Sequence, residues 1–534
     1  PYPLYAASNM GSFAALIAYP VLFEPLAPLR TQAVWWTAGY WLLFVIIVLT
    51  AWRLPSGGDR QAGPIRLDRA RLPSWIVLSA VPSAALVAAT QHLTTDVAAV
   101  PFLWVMPLAL YLLSFVVAFG DGAGRAARWA TCLSAPVLVV LAVTVGFSIR
   151  LGVIGDLCLH LSGFFIIALA AHGALAARRP PAHDLTGFYL ALSVGGSIGG
   201  LSAALVAPAL FSFVAEYPLS LVVAALVLAG PAWRWPLAAG VAGLLVMGLV
   251  LPWSGGTKTT LRSFYAVHSI EDTPDGMFRL LRSGMEVHGV ARRTDIGPTT
   301  GAKPLPLAYY HLDSPISEAI DAVRARKGGT ALRIGVVGLG AGAIACLAED
   351  MDHLDFYEID PVVIRIARDA SRFPFLSRCG AQARIIEGDA RRSLTDSQAT
   401  YDILIIDAFS SDAIPVHLLT REAFAVYRQR STPDGVILLH ISNNHLNLNG
   451  IVASTAASLG LGVLLNDEEQ DPANLAGHLY QPTVAVAAGR KADFGPLTES
   501  EDWIAPDRDR ALPAPWTDQS ANLLSAVIDG LGRR

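Results

Sequence analysis

Nine long apolar runs fill the first half of this 534-residue chain, and nothing comparable follows them. They lie near residues 11–28, 32–52, 74–93, 101–119, 129–149, 151–177, 188–211, 216–232 and 235–253. A bilayer core about 30 Å thick takes roughly 20 apolar residues of helix to cross, and each run is close to that length. Lipid offers no partner to backbone N–H and C=O groups, so such runs must become helices. The composition agrees: 53% of residues are hydrophobic and 15% charged, against about 25% charged in soluble domains. Mean hydropathy is +0.47. Trp35, Trp36, Trp52, Trp75, Trp129, Trp233 and Trp253 fall at the ends of runs, where interfacial anchors sit.

Charge sets an expected orientation. The linker 53–73 holds Arg53, Arg60, Arg66, Arg69 and Arg71, and Arg178–Arg179 follow another run. Excess Lys and Arg marks cytoplasmic loops. Counting every later run as a full crossing would leave residue 254 outside, so one run within 216–253 is expected not to cross fully. The net charge of -4 gives no sign of a nucleic-acid partner. The chain starts at Pro1, almost inside an apolar run, so further residues are expected upstream.

The apolar half echoes itself. Ser8-x-x-Gly11-Ser12 leads to Pro20-x-Leu22-Phe23, and Ser193-x-x-Gly196-Ser197 leads to Pro208-x-Leu210-Phe211. Small residues on one face allow close helix packing, and repeated halves are common in transporters; chance similarity is the alternative. Ionisable residues within the runs are His92, Asp96, Asp156, His160 and His172. His92/Asp96 and Asp156/His160 are i, i+4 pairs, each on one helix face. They read either as functional intramembrane groups or as run ends in water. Cys132, Cys158, Cys346 and Cys379 are scattered, with neither a disulfide framework nor a metal-binding spacing. The pair in the second half is expected to be reduced and buried.

The character changes near residue 257. Residues 262–291 alternate around polar turns at Asp272–Gly276 and Ser283–Gly284, the pattern of a small β-rich subdomain. From Ala331 to about Val486 strands alternate with helices, which implies a parallel doubly wound sheet. A Pro- and Asp-rich tail after Arg490 ends in an expected helix near 519–531. The domains are therefore expected at 1–255 (polytopic transmembrane), 256–330 (small β subdomain) and 331–534 (α/β).

The α/β half carries the chemistry. Gly338-Leu339-Gly340-Ala341-Gly342 follows the apolar strand Ile334–Val337. Such a turn lets backbone approach a ligand and opens a helix N-terminus toward it. By itself it also fits a dinucleotide site. Glu358 lies about 20 residues on, where a carboxylate grips ribose hydroxyls. Asp389 ends a third strand and Asp407 a fourth. Ligands of open α/β sheets sit outside the carboxyl ends of strands. Three acids there suit a cationic adenosyl sulfonium and would repel a pyrophosphate, so S-adenosylmethionine or a relative is the expected ligand, with no metal.

The segments GVVGLGAG, FYEIDP, EGDAR, YDILIIDAFSSDAIPVHLLT and LLHISN resemble spermidine synthase, and closely its membrane-fused bacterial relatives. YAASNMGS, HLTTDVAAVP and FYLALSVGGSIGG resemble the hydrophobic half of the same fused proteins. The resemblance implies a class I methyltransferase-like fold, which binds S-adenosylmethionine, behind a polytopic membrane domain in a bacterial inner membrane, with the catalytic domain cytoplasmic. It implies aminopropyl transfer from decarboxylated S-adenosylmethionine to a putrescine-like amine, with release of methylthioadenosine. Asp407 matches the catalytic aspartate, and Asp412 would hold the far end of the amine. Tyr309, Tyr310 and His311 match a Tyr-His segment lining the substrate cavity. Glu358 would bind ribose, Asp389 adenine, and Gly338, Gly340 and Gly342 would back the cofactor tail. Expected partners are the amine, membrane lipid and a second copy of the chain. Two points depart from the family: the second acid follows as DAFSSD rather than D-x-x-D-P, and His288-Gly289-Val290-Ala291 lacks the family's cofactor-holding glutamine. The alternatives are a methyltransferase or lyase using intact S-adenosylmethionine on the same fold, and a transporter or sensor whose α/β domain only binds ligand.

Overall fold

The computed structural model describes residues 2–53, 69–97, 101–120, 123–181, 185–250, 258–284, 286–297, 303–408, 415–442, 446–467, 483–506, 512–523, 525–526 and 529. The chain divides into two compact units, Pro1–Pro252 and Trp253–Arg534.

In the first unit the apolar runs become helices α1 (Tyr2–Ala18), α2 (Leu29–Arg53), α3 (Leu72–His92), α4 (Val105–Phe119), α5 (Ala123–Gly146), α6 (Val153–Ala177), α7 (Leu185–Leu201), α8 (Glu216–Leu228) and α9 (Arg234–Val250). Among the described residues six helical stretches are long and apolar enough to cross a membrane, and three shorter apolar helices accompany them. Two of the short ones fall within 216–253. The 13 residues of α8 rise about 20 Å, well short of a bilayer core. Most of the Arg-rich linker lies outside the described residues.

Helix α2 has no buried residue and turns Trp36, Tyr40, Trp41 and Phe44 outward, the surface a lipid-facing helix presents. Helix α6 is the opposite, buried along most of its length. Helices α3 and α7 touch through backbone. A Cβ on Gly195 would overlap the carbonyl of Ile76, and one on Gly199 that of Ala80. Ser79 Oγ donates to Leu192 O and Ser83 Oγ to Gly196 O, each at 2.8 Å. The echoed segments share a shape: α1 runs into a π-helical turn at Tyr19–Phe23, and α7 into one at Ser202–Val206.

The second unit opens with four antiparallel strands in sequence order, β1 (Lys258–Arg262), β2 (Val267–Asp272), β3 (Phe278–Ser283) and β4 (Glu286–Arg292). Seven further strands follow: β5 (Arg333–Val337), β6 (His353–Glu358), β7 (Arg384–Glu387), β8 (Tyr401–Ile406), β9 (Ser431–His440), β10 (Gly462–Asp467) and β11 (Val484–Gly489). They form one sheet in the order β10-β11-β9-β8-β5-β6-β7. This is the doubly wound, methyltransferase-like α/β fold. It is not parallel throughout: β11 runs antiparallel to both β9 and β10. The chain winds outward from β5 through β6 to β7, then returns to the other side with β8, which opens a crevice at the β5/β8 carboxyl ends.

Helices α10 (Pro315–Arg326), α11 (Pro361–Arg368), α12 (Ala390–Asp396), α13 (Arg421–Gln429) and α14 (Asn449–Ala457) cover the sheet. Ser314, Asp360, Asp389 and Thr420 cap α10 to α13 with their side chains. One face of β5, with Ile334 and Val336, packs in a core shared by Ile270, Leu281, Ile316 and Ile320, so β1–β4 are built onto the α/β core. The other face packs Leu404, Ile406, Phe424 and Leu439. The closing helix expected near 519–531 falls largely outside the described residues.

The cysteine expectation is corrected. Cys346 and Cys379 are not reduced thiols but a disulfide across 33 residues. It ties the turn after the glycines to the short helix Phe375–Arg378, which the chain brings back beside it. Sequence distance hid a pairing that the fold makes local.

Because α3 and α7 meet at backbone, Gly199→Leu should disrupt the bundle. Overpacking typically costs 1–3 kcal/mol. The detergent-solubilised variant should melt several degrees lower, whereas Gly230→Ala, with nothing within 4 Å of its missing Cβ, should melt as the wild type.

Candidate active site

The glycine turn is shaped by what has no room for a side chain. Gly338 takes φ 100°, and a Cβ there would overlap the Asp407 carbonyl. Gly340 takes φ 53° beside the His288 carbonyl. Gly342 also has positive φ, but its missing Cβ faces Leu376. It seats the turn on the Phe375–Arg378 helix instead of lining the cavity.

Beside this turn is a cavity of about 320 Å³, lined by Gly338, Gly340, Glu358, Asp389, Asp407, Tyr309 and Tyr310 among others. Seven of the expected site residues therefore meet in one place. His311 is buried in the turn after Tyr310 but is not among the lining residues. Asp412 lies outside the described residues.

Each carboxylate is held by donors. Glu358 accepts from Leu339 N at 3.0 Å and Asp360 N at 2.8 Å, so it braces the glycine turn. Burial pushes its carboxyl above the usual range, and the two N–H groups only partly offset this. Asp389 Oδ1 accepts from Arg392 N at 2.8 Å as the cap of α12, and its Oδ2 lies 3.1 Å from His417 Nε2. Asp407, at the end of β8, accepts from the Tyr310 hydroxyl on Oδ2 and pairs through Oδ1 with His440 Nδ1 at 2.6 Å.

The tautomer of His440 follows from its neighbours. Ser442 Oγ accepts from Val484 N at 2.8 Å, so its hydrogen is available to His440 Nε2, also at 2.8 Å. His440 Nδ1 therefore carries the hydrogen and donates it to Asp407. The Tyr309 ring stacks on His440 at 4.9 Å and leans on Tyr310 at 4.2 Å. Burial, then the Asp407 charge, raises both tyrosines well above their usual range, so they act as neutral donors. Ala308, which launches this pair, takes φ 57°, a left-handed conformation costing about 1–2 kcal/mol for a residue with a Cβ.

Four further groups were not singled out from sequence. Asp360 Oδ2 accepts from His268 Nε2 at 2.8 Å and from Ser263 Oγ. Burial alone would raise the Asp360 carboxyl, but these bonds and that from Val362 N outweigh it and hold it low. His288, on β4, also lines the cavity. Burial lowers it to about 4, so it is a neutral imidazole at neutral pH. His440 lay inside the quoted LLHISN segment and Asp360 inside FYEIDP; their place at strand ends was the available signal. His268 sits on a strand of the small sheet, and nothing local marks it. Among the described lining residues there is no Lys or Arg.

Fold and site together define a class: a doubly wound α/β unit with an acid-lined cavity at its switch point. Comparison with known proteins agrees. Over 113 residues, 20% of this chain, the sequence is 38% identical to a polyamine aminopropyltransferase of Vibrio vulnificus. The match takes in 36% of that protein, so the chain spans about a third of the curated relative's length. In that stretch the chain is similar to a polyamine aminopropyltransferase. No family model matches the chain. Among solved structures, a probable spermidine synthase from Corynebacterium glutamicum aligns at 18% identity and TM-score 0.33, covering 44% of this chain and 80% of that one. Spermidine synthase from Thermotoga maritima aligns at 12% identity and TM-score 0.31, covering 53% of this chain and 89% of that one.

The cap that Asp389 makes on α12 can be tested apart from its place in the cavity lining. Asp389→Asn keeps an acceptor for Arg392 N, and Asp389→Ala removes it, at a cap cost of about 1 kcal/mol. Thermal melting should show loss of stability for the alanine variant alone. Calorimetry with methylthioadenosine should show weakened binding for both, if the carboxylate also receives an adenine amino group.

Proposed function

We propose that the chain is a membrane-bound aminopropyltransferase that moves an aminopropyl group from decarboxylated S-adenosylmethionine to a putrescine-like amine. The observation that carries this is the cavity itself: Glu358, Asp360, Asp389 and Asp407 line it with no Lys or Arg among the described residues. Such a site favours a ligand that is cationic throughout. Intact S-adenosylmethionine brings a carboxylate that would meet these acids unpaired; the decarboxylated form brings an ammonium and a sulfonium.

In this reading Gly338 and Gly340 let the backbone approach the cosubstrate, Gly342 seats that turn, Glu358 receives ribose hydroxyls and Asp389 the adenine amino group. Tyr309 and Tyr310 wall the amine channel, His311 supports their turn, and Asp412 holds the distal ammonium. The amine nitrogen attacks the carbon next to the sulfonium. A C–N bond forms as the C–S bond breaks, and its electron pair neutralises the sulfur to give methylthioadenosine. The proton lost by the amine passes to Asp407, whose two oxygens are aimed by Tyr310 and His440. A general base contributes typically 10²–10⁴ in rate, so Asp407→Asn should cut methylthioadenosine release by about that factor while binding survives. Release at the wild-type rate would remove Asp407 from the chemistry. Release without any amine would make the protein a lyase, and tighter binding of intact S-adenosylmethionine would favour a methyltransferase.

Six long apolar helices among the described residues are compatible with a membrane protein. We place it in the bacterial inner membrane with the α/β unit in the cytoplasm, where this cosubstrate is made. The Cys346–Cys379 bond pulls the other way, because disulfides ordinarily persist in oxidising compartments. A reporter fused after Arg534 decides: cytoplasmic activity is expected, and periplasmic activity would overturn the placement and the source of cosubstrate with it.

A further inference from the structure

The helical unit contains a buried polar cluster that anchoring does not require. Three helices each send a ring into it: His92 from α3, His160 from α6 and Tyr217 from α8. They are 8%, 3% and 2% exposed. The His92 ring stacks on Tyr217 at 4.8 Å and meets the edge of His160 at 4.7 Å. His92 Nδ1 lies 2.8 Å from Asp96 Oδ2, and His160 Nδ1 lies 2.9 Å from the Tyr217 hydroxyl.

The charged groups facing the cluster come from every element around it. The π-helical turn Leu93–Val97 brings Asp96, and the segment before α6 brings Arg150; α6 and α8 also carry Asp156 and Glu216, one helical turn before His160 and one residue before Tyr217. Asp156 and Glu216 are buried, and Asp156 Oδ1 accepts from Leu151 N at 3.2 Å. One carboxylate, Asp96, and one guanidinium, Arg150, thus act on the two imidazoles. Ionisable groups inside a membrane bundle are costly and mark ion or proton pathways. A merely structural contact between α3, α6 and α8 could be made of Phe and Leu.

The cluster also lies where helices are interrupted. Both hydrogen bonds that pair α3 with α7 join residues 113 apart. That parallel register sets Leu205, within the π-helical turn Ser202–Val206, level with His92. Helix α3 itself passes into a π-helical turn directly after His92. Such turns are frequent at functional sites, and interrupted helices in matched positions are how carriers build binding sites. The echoed segment supplies the match, with its own π-helical turn at Tyr19–Phe23.

We propose that this cluster is a proton-binding site, and that the helical unit exchanges protons for small organic ammonium ions. The physical reason is competition. A proton on His92 and an ammonium nitrogen beside Asp96 satisfy the same carboxylate. Arrival of one therefore releases the other, and the stacked His92–Tyr217 pair offers ring faces to the alkylammonium. The choice of an amine as cargo rests on the aminopropyl-transfer reading; the proton site does not.

The test uses the full chain in vesicles of phosphatidylethanolamine and phosphatidylglycerol, loaded with a pH-sensitive dye and made acid inside. Radiolabelled putrescine should accumulate while the lumen turns alkaline, and collapsing the pH gradient with nigericin should abolish accumulation. Asp96→Asn and His160→Gln should each slow exchange about tenfold or more, with methylthioadenosine release by the same preparations unchanged, which also shows that they fold. Tyr217→Phe keeps the stack and should impair exchange less than His160→Gln. Putrescine entry without proton movement, no entry into wild-type vesicles, or full exchange in Asp96→Asn would overturn the proposal. Wild-type protein that releases methylthioadenosine but exchanges nothing sinks this inference alone. Protein that exchanges but releases no methylthioadenosine sinks the transferase reading alone.

Discussion

The α/β site depends on one contact, the seating of Gly338 against the backbone of Asp407. No residue with a Cβ can stand there, because that atom would overlap the Asp407 carbonyl. The contact joins the first turn of the sheet to the end of its fourth parallel strand and so brings the glycine turn and the Asp407 carboxylate together. Two backbone bonds lock the same junction: Gly338 N to Tyr357 O at 2.9 Å and Asp407 N to Val337 O at 2.8 Å. Glu358 then fastens the turn from the neighbouring strand through Leu339 N. A cavity with acids at fixed positions follows from these few bonds.

Much of this was legible in sequence because it is local. A glycine turn after an apolar strand, and acids at the ends of three strands, occupy fixed offsets, and the fold class follows from the alternation of strands and helices. What was not legible is what the topology imports. His440 reaches Asp407 from the next strand, 33 residues on. His268 and His288 come from the antiparallel strands built onto the core, and a histidine on a half-buried strand has no signature of its own. The disulfide was misjudged for the same reason, since Cys346 and Cys379 become neighbours only after the chain has closed β6 and α11. Gly342 shows the converse error: a motif position can be required by packing, here against Leu376, and still leave the cavity to others.

The helical unit was legible in a different way. Apolar length fixed where helices run, yet it did not separate long helices from short ones, because apolar composition continues past helix ends. The run beginning at 216 is an example, its helix stopping after 13 residues at Leu228. The i, i+4 pairing of His92 with Asp96 was visible and is a real hydrogen bond at 2.8 Å. The pairing of Asp156 with His160 was expected on the same grounds, but the structure divides them: Asp156 turns to Leu151 N and His160 to Tyr217. Shared helix face makes a contact available, and the neighbouring helix decides whether it forms.

Crowding four carboxylates around one cavity carries a cost, and the structure shows how it is limited. Each acid has donors of its own: backbone N–H for Glu358, a helix N-terminus and His417 for Asp389, His268 and Ser263 for Asp360, Tyr310 and His440 for Asp407. These donors stabilise the ionised forms, and none of them is a lysine or arginine side chain. The balance is uneven. Asp360 is held low and Glu358 is left high, which makes Glu358 the acid with most to gain from an incoming positive ligand. A lysine or arginine in the lining would have relieved the repulsion permanently and occupied the place of the ligand's own charge. In the proposed transfer, a cation that arrives as a sulfonium and departs as a neutral thioether would supply that relief only while bound, and so would be both drawn in and let go.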